Sequence, residues 1–333
     1  MTTQERNRTA PGQPVISAGD LRKTFADTVA VDGLSLAVRA GSILALLGPN
    51  GAGKTTTIKL LTTLLPIEGG SATVAGFDVA RQPGMVRRAI GLAGQNAAVD
   101  EKLTPRQNLD LFGRLYHLPT RRRSKRVDEL VERFEMSEYA DRPAETLSGG
   151  ERRRLDVVAA LIADPPAIFL DEPTAGLDPR GRVALWDQIR AIRDGGAAVL
   201  LTTQYLEEAD RLADDIVVID RGSTVAQGTA AELKSRLERD VLEVTLSEAA
   251  QRDAAIEAMG PDGVSVVDER TLHLAVSAAD DSLAALRRVG ETGIGLADFQ
   301  LRRPTLDDVF IEFTGAPTQS DASPSATTPG AQA

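Results

Sequence analysis

Cysteine is absent from the 333 residues of this chain. That excludes disulfides, thiolate metal sites and cysteine nucleophiles. Histidine is nearly absent too. His117 and His273 stand far apart without ligand-like spacing, so both read as ordinary surface or packing residues. No apolar run approaches the ~20 residues that a membrane-spanning helix requires. The first 14 residues are polar, with Pro and Gly, and lack the apolar segment of a signal peptide. Any membrane role is therefore expected to come through a partner. An excess of positive charge is missing as well. The formal net charge is −10, which argues against broad, non-specific binding to nucleic acid but leaves room for a local basic patch. The rest is ordinary for a globular protein, 42% hydrophobic and 26% charged, in a chain long enough for two domains.

Against this background one stretch stands out: Gly48-Pro49-Asn50-Gly51-Ala52-Gly53-Lys54-Thr55-Thr56. It follows the apolar run Ile43-Leu44-Ala45-Leu46-Leu47 and leads into Thr57-Ile58-Lys59-Leu60-Leu61. G-x-x-x-x-G-K-T between a strand and a helix is the spacing of a phosphate-binding P-loop, and the flanks set it apart from an ordinary glycine-rich turn. Glycines let the backbone close round an anion with successive N–H groups pointing inward. The helix N-terminus adds its positive dipole end. Lys54 supplies a point charge for the outer phosphates, and the Thr55 hydroxyl is a hard oxygen donor suited to Mg²⁺.

Along the chain, two β-rich runs at 15–17 and 29–36 flank turn residues and predict an antiparallel sheet before the P-loop strand. Phe25, between them, could stack on a purine or pack in a core. A helix is expected from Lys54 to about Leu65, stopped by Pro66, then a turn at Gly69-Gly70 and strands at 72–76 and 89–95. Thr104-Pro105-Arg106-Gln107 has the N-cap, N1 and N3 residues of a helix start, and a mostly helical segment is expected to about Arg142. Its basic run, 121–126, could face anionic headgroups or an acidic partner, or be a solvated helix face. Beyond it, buried-looking strands (167–172, 197–201, 216–220) alternate with helices, which predicts a mostly parallel α/β sheet. After Leu237 the order becomes β-α-β-β-α-β, a ferredoxin-like pattern, with a final short helix at about 305–313. The Ser-, Thr-, Pro-, Ala- and Gly-rich end from about 316 is expected to be disordered.

Asp171 and Glu172 end an apolar strand, where ligands of α/β sheets bind. Asp171 is placed to hold Mg²⁺ and Glu172 to polarise an attacking water, although two carboxylates can also simply cap a strand end. Ser148-Gly149-Gly150 starts a helix and offers a second N–H-lined anion site. One γ-phosphate does not need two helix N-termini from the same chain, so a second copy's nucleotide is a simple occupant, with a plain N-cap as the alternative.

With these motifs in order, the sequence resembles the ATP-binding subunits of ABC transporters over about residues 15–235. The resemblance rests on residues 48–56 (Walker A), Gln95 (Q-loop), Leu147-Ser148-Gly149-Gly150-Glu151 (signature), Ile168-Phe169-Leu170-Asp171-Glu172 with Pro173 (Walker B) and Gly176-Leu177-Asp178 (D-loop). It implies ATP and Mg²⁺ as cofactors and a head-to-tail homodimer of nucleotide domains. Each ATP would meet Walker A of one copy and residues 148–150 of the other. Phe25 would stack on adenine, and Gln95 would contact Mg²⁺ or the attacking water. The helical segment would dock a separate permease at the cytoplasmic face of the membrane. One position departs from the family: Gln204 stands where most members have a histidine facing the γ-phosphate. A glutamine amide can donate a hydrogen bond to phosphate but cannot become cationic.

Thr202-Thr203-Gln204-Tyr205-Leu206-Glu207-Glu208, the Arg180-Gly181-Arg182 that follows the D-loop, and Pro304-Thr305-Leu306-Asp307-Asp308-Val309-Phe310 resemble the daunorubicin-resistance type of drug-export ATPase. The expected domains are a tail (1–14), a nucleotide-binding domain (15–237, helical part about 96–146), an accessory domain (238–315) and a second tail. An importer ATPase or a non-transport ABC ATPase is the alternative. The short helical segment lacks the coiled-coil insertion of DNA-repair members, and one P-loop differs from the two usual in translation-factor members.

Overall fold

In the computed structural model, residues 13–95, 98–237, 239–260, 263–276 and 279–314 are described; most of both expected tails lies outside them. The chain forms two compact units that divide after Ala230.

The first unit opens with β1 (Ile16–Phe25) and β2 (Thr28–Val38), whose alternating burial puts Leu34, Leu36 and Val38 inward. They pair antiparallel, and β4 (Gly69–Val74) and β5 (Phe77–Asp78) complete a four-stranded sheet in the order β2-β1-β4-β5. Between them lie β3 (Ile43–Leu47) and α1 (Lys54–Leu61). Helix α1 is four residues shorter than expected. Thr63 turns left-handed at φ 65, and the N–H groups of Leu64 and Leu65 both return to the Lys59 carbonyl, at 2.8 and 3.0 Å. This local closure ends the helix before Pro66 is reached. Gly69 and Gly70, expected as a turn, instead begin β4. Gly70 sits at φ 80 against the Asp20 carbonyl, where the β1–β4 register is irregular.

Helix α2 (Pro83–Ala89) was not anticipated; it precedes β6 (Ile90–Ala93). Helix α3 (Pro105–Leu115) starts with the expected capping box, Thr104 and Gln107 bonding reciprocally. In α4 (Thr120–Arg133) three of the five cations of the basic run pair within the chain. Arg123 pairs with Asp110, Lys125 with Glu129, and Arg126 with Glu129 and Asp164. Helix α5 (Gly149–Ala159), β7 (Ala167–Asp171), α6 (Pro179–Asp194), β8 (Ala198–Thr203), α7 (Leu206–Leu212), β9 (Asp215–Asp220) and β10 (Ser223–Gly228) follow. Strands β3, β7 and β8 are buried along their whole length, as strands covered on both faces must be. The sheet order is β10-β9-β3-β8-β7-β6, parallel except for the β9–β10 hairpin. The carboxyl ends of β3, β8 and β7 therefore lie side by side.

Helix α8 (Ala230–Ser235) leads into the second unit, whose elements are β11 (Asp240–Leu246), α9 (Arg252–Met259), β12 (Val264–Val266), β13 (Thr271–Val276), α10 (Ala279–Glu291), β14 (Leu296–Arg302) and α11 (Leu306–Thr314). The sheet order β12-β13-β11-β14, antiparallel throughout, is the split β-α-β arrangement of a ferredoxin-like fold. Leu242, Val244, Leu272 and Val276 form its core with Ala255, Ala285 and Val289 of the helices.

His273 is in the wall of this unit, not on its surface. Its Nε2 lies 3.0 Å from Glu243 and its Nδ1 3.2 Å from Asp308. Arg302 donates to both carboxylates, and the Thr305 N–H donates to Asp308 at 2.7 Å. Burial opposes ionisation of Asp308, but hydrogen bonds from His273, Arg302 and Thr305 outweigh it and hold the carboxyl well below its usual range. A carboxyl depressed in the folded state adds stability above its unfolded pKa, about 3.9, and that contribution is lost as pH falls further. Asp308→Asn should therefore lower the melting temperature at pH 7, and the gap to the unmodified chain should narrow as pH drops below about 4. Melts of both chains at pH 7, 4 and 3 measure it; a gap independent of pH contradicts the assignment.

Candidate functional site

The alignment of Leu47 with Thr203 and of Thr202 with Asp171 across neighbouring parallel strands decides what meets at the sheet's end. Three loops leave there: residues 48–53 after β3, the segment starting at Glu172 after β7, and the one starting at Gln204 after β8. Two glycines of the first loop are required sterically. A Cβ on Gly48 would strike the Ile219 carbonyl, and one on Gly53, at φ 104, would strike the Ala30 carbonyl. Asn50 and Gly51 are exposed at the loop's tip; Ala52 and Gly53 are buried, and Thr55 and Thr56 are half-buried.

Lys54 is buried, and its Nζ donates to the carbonyls of Gly48 and Pro49 at 2.8 and 3.0 Å. The same ammonium pairs with Glu172 Oε1 at 3.2 Å. The Thr55 hydroxyl donates to Asp171 Oδ1 at 3.1 Å and accepts from Gln95 Nε2 at 3.2 Å. The Thr202 hydroxyl donates to the same Asp171 oxygen at 2.6 Å and accepts from the Glu172 N–H at 3.0 Å. Glu172 has φ 46, a left-handed conformation that costs a non-glycine residue about 1–3 kcal/mol and often marks a functional position. Lys54, Thr55, Gln95, Asp171 and Glu172, read separately from sequence, thus form one bonded cluster.

Apart from Gly48 and Pro49, whose carbonyls accept from Lys54, the remaining predicted residues make no side-chain hydrogen bond to that cluster among the described residues. Phe25 is exposed at the end of β1, its ring 5.2 Å from the Lys23 ammonium, so it belongs to neither core. Pro49 contributes its carbonyl, as given above. Gln204 is half-buried between β8 and α7. Ser148 caps α5, accepting from the Glu151 N–H at 3.2 Å while the Glu151 carboxylate accepts from the Ser148 N–H at 2.7 Å. Cβ positions built on Gly149 and Gly150 meet nothing within 4 Å.

One residue of the site was missed. Arg153, one turn into α5, is buried and donates to the carbonyls of Gly94 (2.5 Å), Asp171 (3.0 Å), Glu172 (3.3 Å) and Pro173 (2.7 Å). It also pairs with buried Asp156 at 3.2 Å. Burial raises the Asp156 pKa against the opposing pull of the Ala98 N–H and Arg153. Within Arg152-Arg153-Arg154 nothing local marks the middle residue.

Fold and site together define a P-loop nucleotide-binding protein of the ATP-binding-cassette class. Residues 31–175 match the ABC transporter family model, and residues 228–314 match that of the C-terminal domain of DrrA1-3-like ATP-binding proteins. The chain is 50% identical to the daunorubicin resistance ATP-binding protein DrrA3 of Streptomyces coeruleorubidus over 302 residues, covering 90% of this chain and 96% of that one. It is 44% identical to the doxorubicin resistance ATP-binding protein DrrA of Mycobacterium tuberculosis, covering 90% and 93%. A solved ATP-binding subunit of an ABC transporter superposes with a TM-score of 0.60 at 28% identity, over 67% of this chain and 92% of that chain. The chain belongs to the DrrA family of ABC transporter ATP-binding proteins. It binds ATP and is an ATPase of the transporter class, whose ATP-binding subunits act with separate transmembrane permeases. No helix among the described residues is long and apolar enough to cross a membrane.

Proposed function

We propose that this chain is the ATP-hydrolysing subunit of an exporter that expels drug-like hydrophobic compounds through a separate permease at the cytoplasmic face of the membrane. The observation that carries the export reading is similarity over nine-tenths of the chain, C-terminal unit included, to proteins named for daunorubicin and doxorubicin resistance. The functional division is a nucleotide-binding part over 15–237, with its helical portion about 96–146, and an accessory part over 238–315 that regulates turnover or assembly.

In this reading residues 48–56 cradle the phosphates, Lys54 neutralises them, and the exposed Phe25 ring stacks on adenine. The Thr55 hydroxyl and the Asp171 carboxylate, 3.1 Å apart, with Gln95 beside them, suit a hard cation that keeps waters and phosphates in its shell. Mg²⁺ held there would neutralise charge on the phosphates. Glu172 is the general base and Gln204 the donor to the γ-phosphate. Residues 148–150 complete the site of a second copy in a homodimer, a reading supported by the open space over both glycines. For the permease, a groove of about 520 Å³ between α3 and α4, lined by Leu103, Leu111 and Val127 and by the ion pairs Arg106–Asp128 and Arg114–Asp110, is a fitting surface.

Daunorubicin transport by inverted vesicles holding the permease and this chain tests the proposal. ATP-dependent loading is expected, and ATP-dependent release instead would assign an importer. In the same vesicles Gln204→Ala should slow ATP hydrolysis by about tenfold with little change in ATP affinity, the cost of one lost phosphate hydrogen bond. Unchanged turnover would remove Gln204 from the reaction.

A further inference from the structure

Glu208, in α7, is 1% exposed. The indole N–H of Trp186, in α6, donates to its Oε1 at 3.1 Å. Its Oε2 and the Thr174 Oγ1 are both buried without a hydrogen-bond partner among the described residues. The hydroxyls of Thr174 and Thr203 nevertheless face this carboxyl, and so does the Arg182 charge. These neighbours come from three elements. Thr174 lies two residues after Glu172, Thr203 immediately precedes Gln204, and Arg182 follows the segment 176–178. The grouping continues outward. Arg182 lies 4.6 Å from the Tyr205 ring centroid and donates from Nε to the Leu177 carbonyl at 3.2 Å. The Thr203 hydroxyl accepts from the Tyr205 N–H at 2.9 Å.

We propose that Glu208 is a positioning residue for hydrolysis. Its carboxyl fastens the segment after Glu172 to the loop bearing Gln204, so that both groups hold one common placement toward the γ-phosphate. The inference rests on the roles given above to Glu172 and Gln204. Three observations support it. A carboxyl buried this deeply needs partners, and beyond the Trp186 indole the hydroxyls that face it belong to Thr174 and Thr203, next to the two reacting loops. Burial raises its pKa against the opposing pull of the Thr203 and Thr174 hydroxyls, the Trp186 indole and the Arg182 charge, so the polar groups placed round this carboxyl work against the cost of burying it. The unmatched Glu208 Oε2 and Thr174 Oγ1 can satisfy each other after a small closing movement, a donor and acceptor already desolvated.

The test uses the full chain and measures ATP turnover and nucleotide affinity for four variants. Glu208→Gln keeps a donor and an acceptor and should retain at least half of the turnover. Glu208→Leu should lose about tenfold or more in kcat with nucleotide affinity within about twofold, as expected of an effect on the reacting geometry rather than on binding. Thr174→Val, nearly isosteric and safe for folding, should fall in the same direction. Glu208→Leu combined with Gln204→Ala should lose less than the product of the two single losses, because part of the Glu208 effect runs through Gln204. Wild-type turnover in both Glu208→Leu and Thr174→Val, or a double variant whose losses multiply, would overturn the inference. If Gln204→Ala alone has no effect, the reading of the site fails first, and the two failures are thereby distinct.

Discussion

Glu172→Gln should hydrolyse ATP at least about 100-fold more slowly than the unmodified chain while binding ATP equally well or better, which is the scale of removing a positioned general base. The argument starts from the backbone. The Glu172 N–H is held by the Thr202 hydroxyl and carbonyl at 3.0 and 3.2 Å, and the residue keeps its left-handed φ of 46. Glutamine has the same shape, so these contacts survive. What it loses is the ability to take a proton. It also loses the charge that pairs with Lys54 at 3.2 Å, which leaves the ammonium to the incoming phosphates. A slow enzyme with intact binding should accumulate the ATP-bound dimer, visible as a nucleotide-dependent shift to twice the mass on a sizing column. Normal hydrolysis by Glu172→Gln would remove the general-base assignment; slow hydrolysis without a dimer would count against the shared site.

The second large effect belongs to Arg153. Arg153→Met should destabilise the first unit by about 3–5 kcal/mol, the usual cost of removing one partner of a buried ion pair. For a unit of this size that is a fall in melting temperature of roughly 6–20 °C. Methionine fills much of the same volume, so the cost is electrostatic. Asp156, also buried, loses its countercharge, and four carbonyls lose their donor. Because burial already raises the Asp156 pKa, part of the loss will appear as proton uptake by that carboxyl. Arg153→Met with Asp156→Leu should recover part of the stability, since it removes the uncompensated buried charge but leaves the four carbonyls without their donor. ATPase activity should not recover with it, because the carbonyls of Gly94, Asp171 and Glu172 remain untied. A double variant that regains both would show Arg153 to be a stability residue only.

The elements read correctly from sequence are those with strong local signals. The glycine spacing of 48–53, the Thr104 and Gln107 capping box and the fully apolar strands each depend on a few adjacent residues. The errors have equally local causes. Helix α1 ends at Leu61 because Thr63 can turn left-handed, an option that Pro66 downstream does not reveal. Gly69 and Gly70 look like a turn but serve an irregular antiparallel pairing, a choice made by β1 across the sheet.

By itself the sequence determined the glycine loop of residues 48–55 between a strand and a helix, the acidic pair 171 and 172 at a strand's end, and a second module after the first. Those properties are written in short-range order, where the spacing of a few residues settles the backbone path. Only the tertiary structure decided that Arg153 ties α5 to the ends of β6 and β7, and that Glu208 is buried against Trp186 with the Thr174 and Thr203 hydroxyls facing it. Both are contacts between residues far apart in the chain. They exist because β3, β8, β7 and β6 lie side by side in one sheet, and no local preference encodes that order of strands.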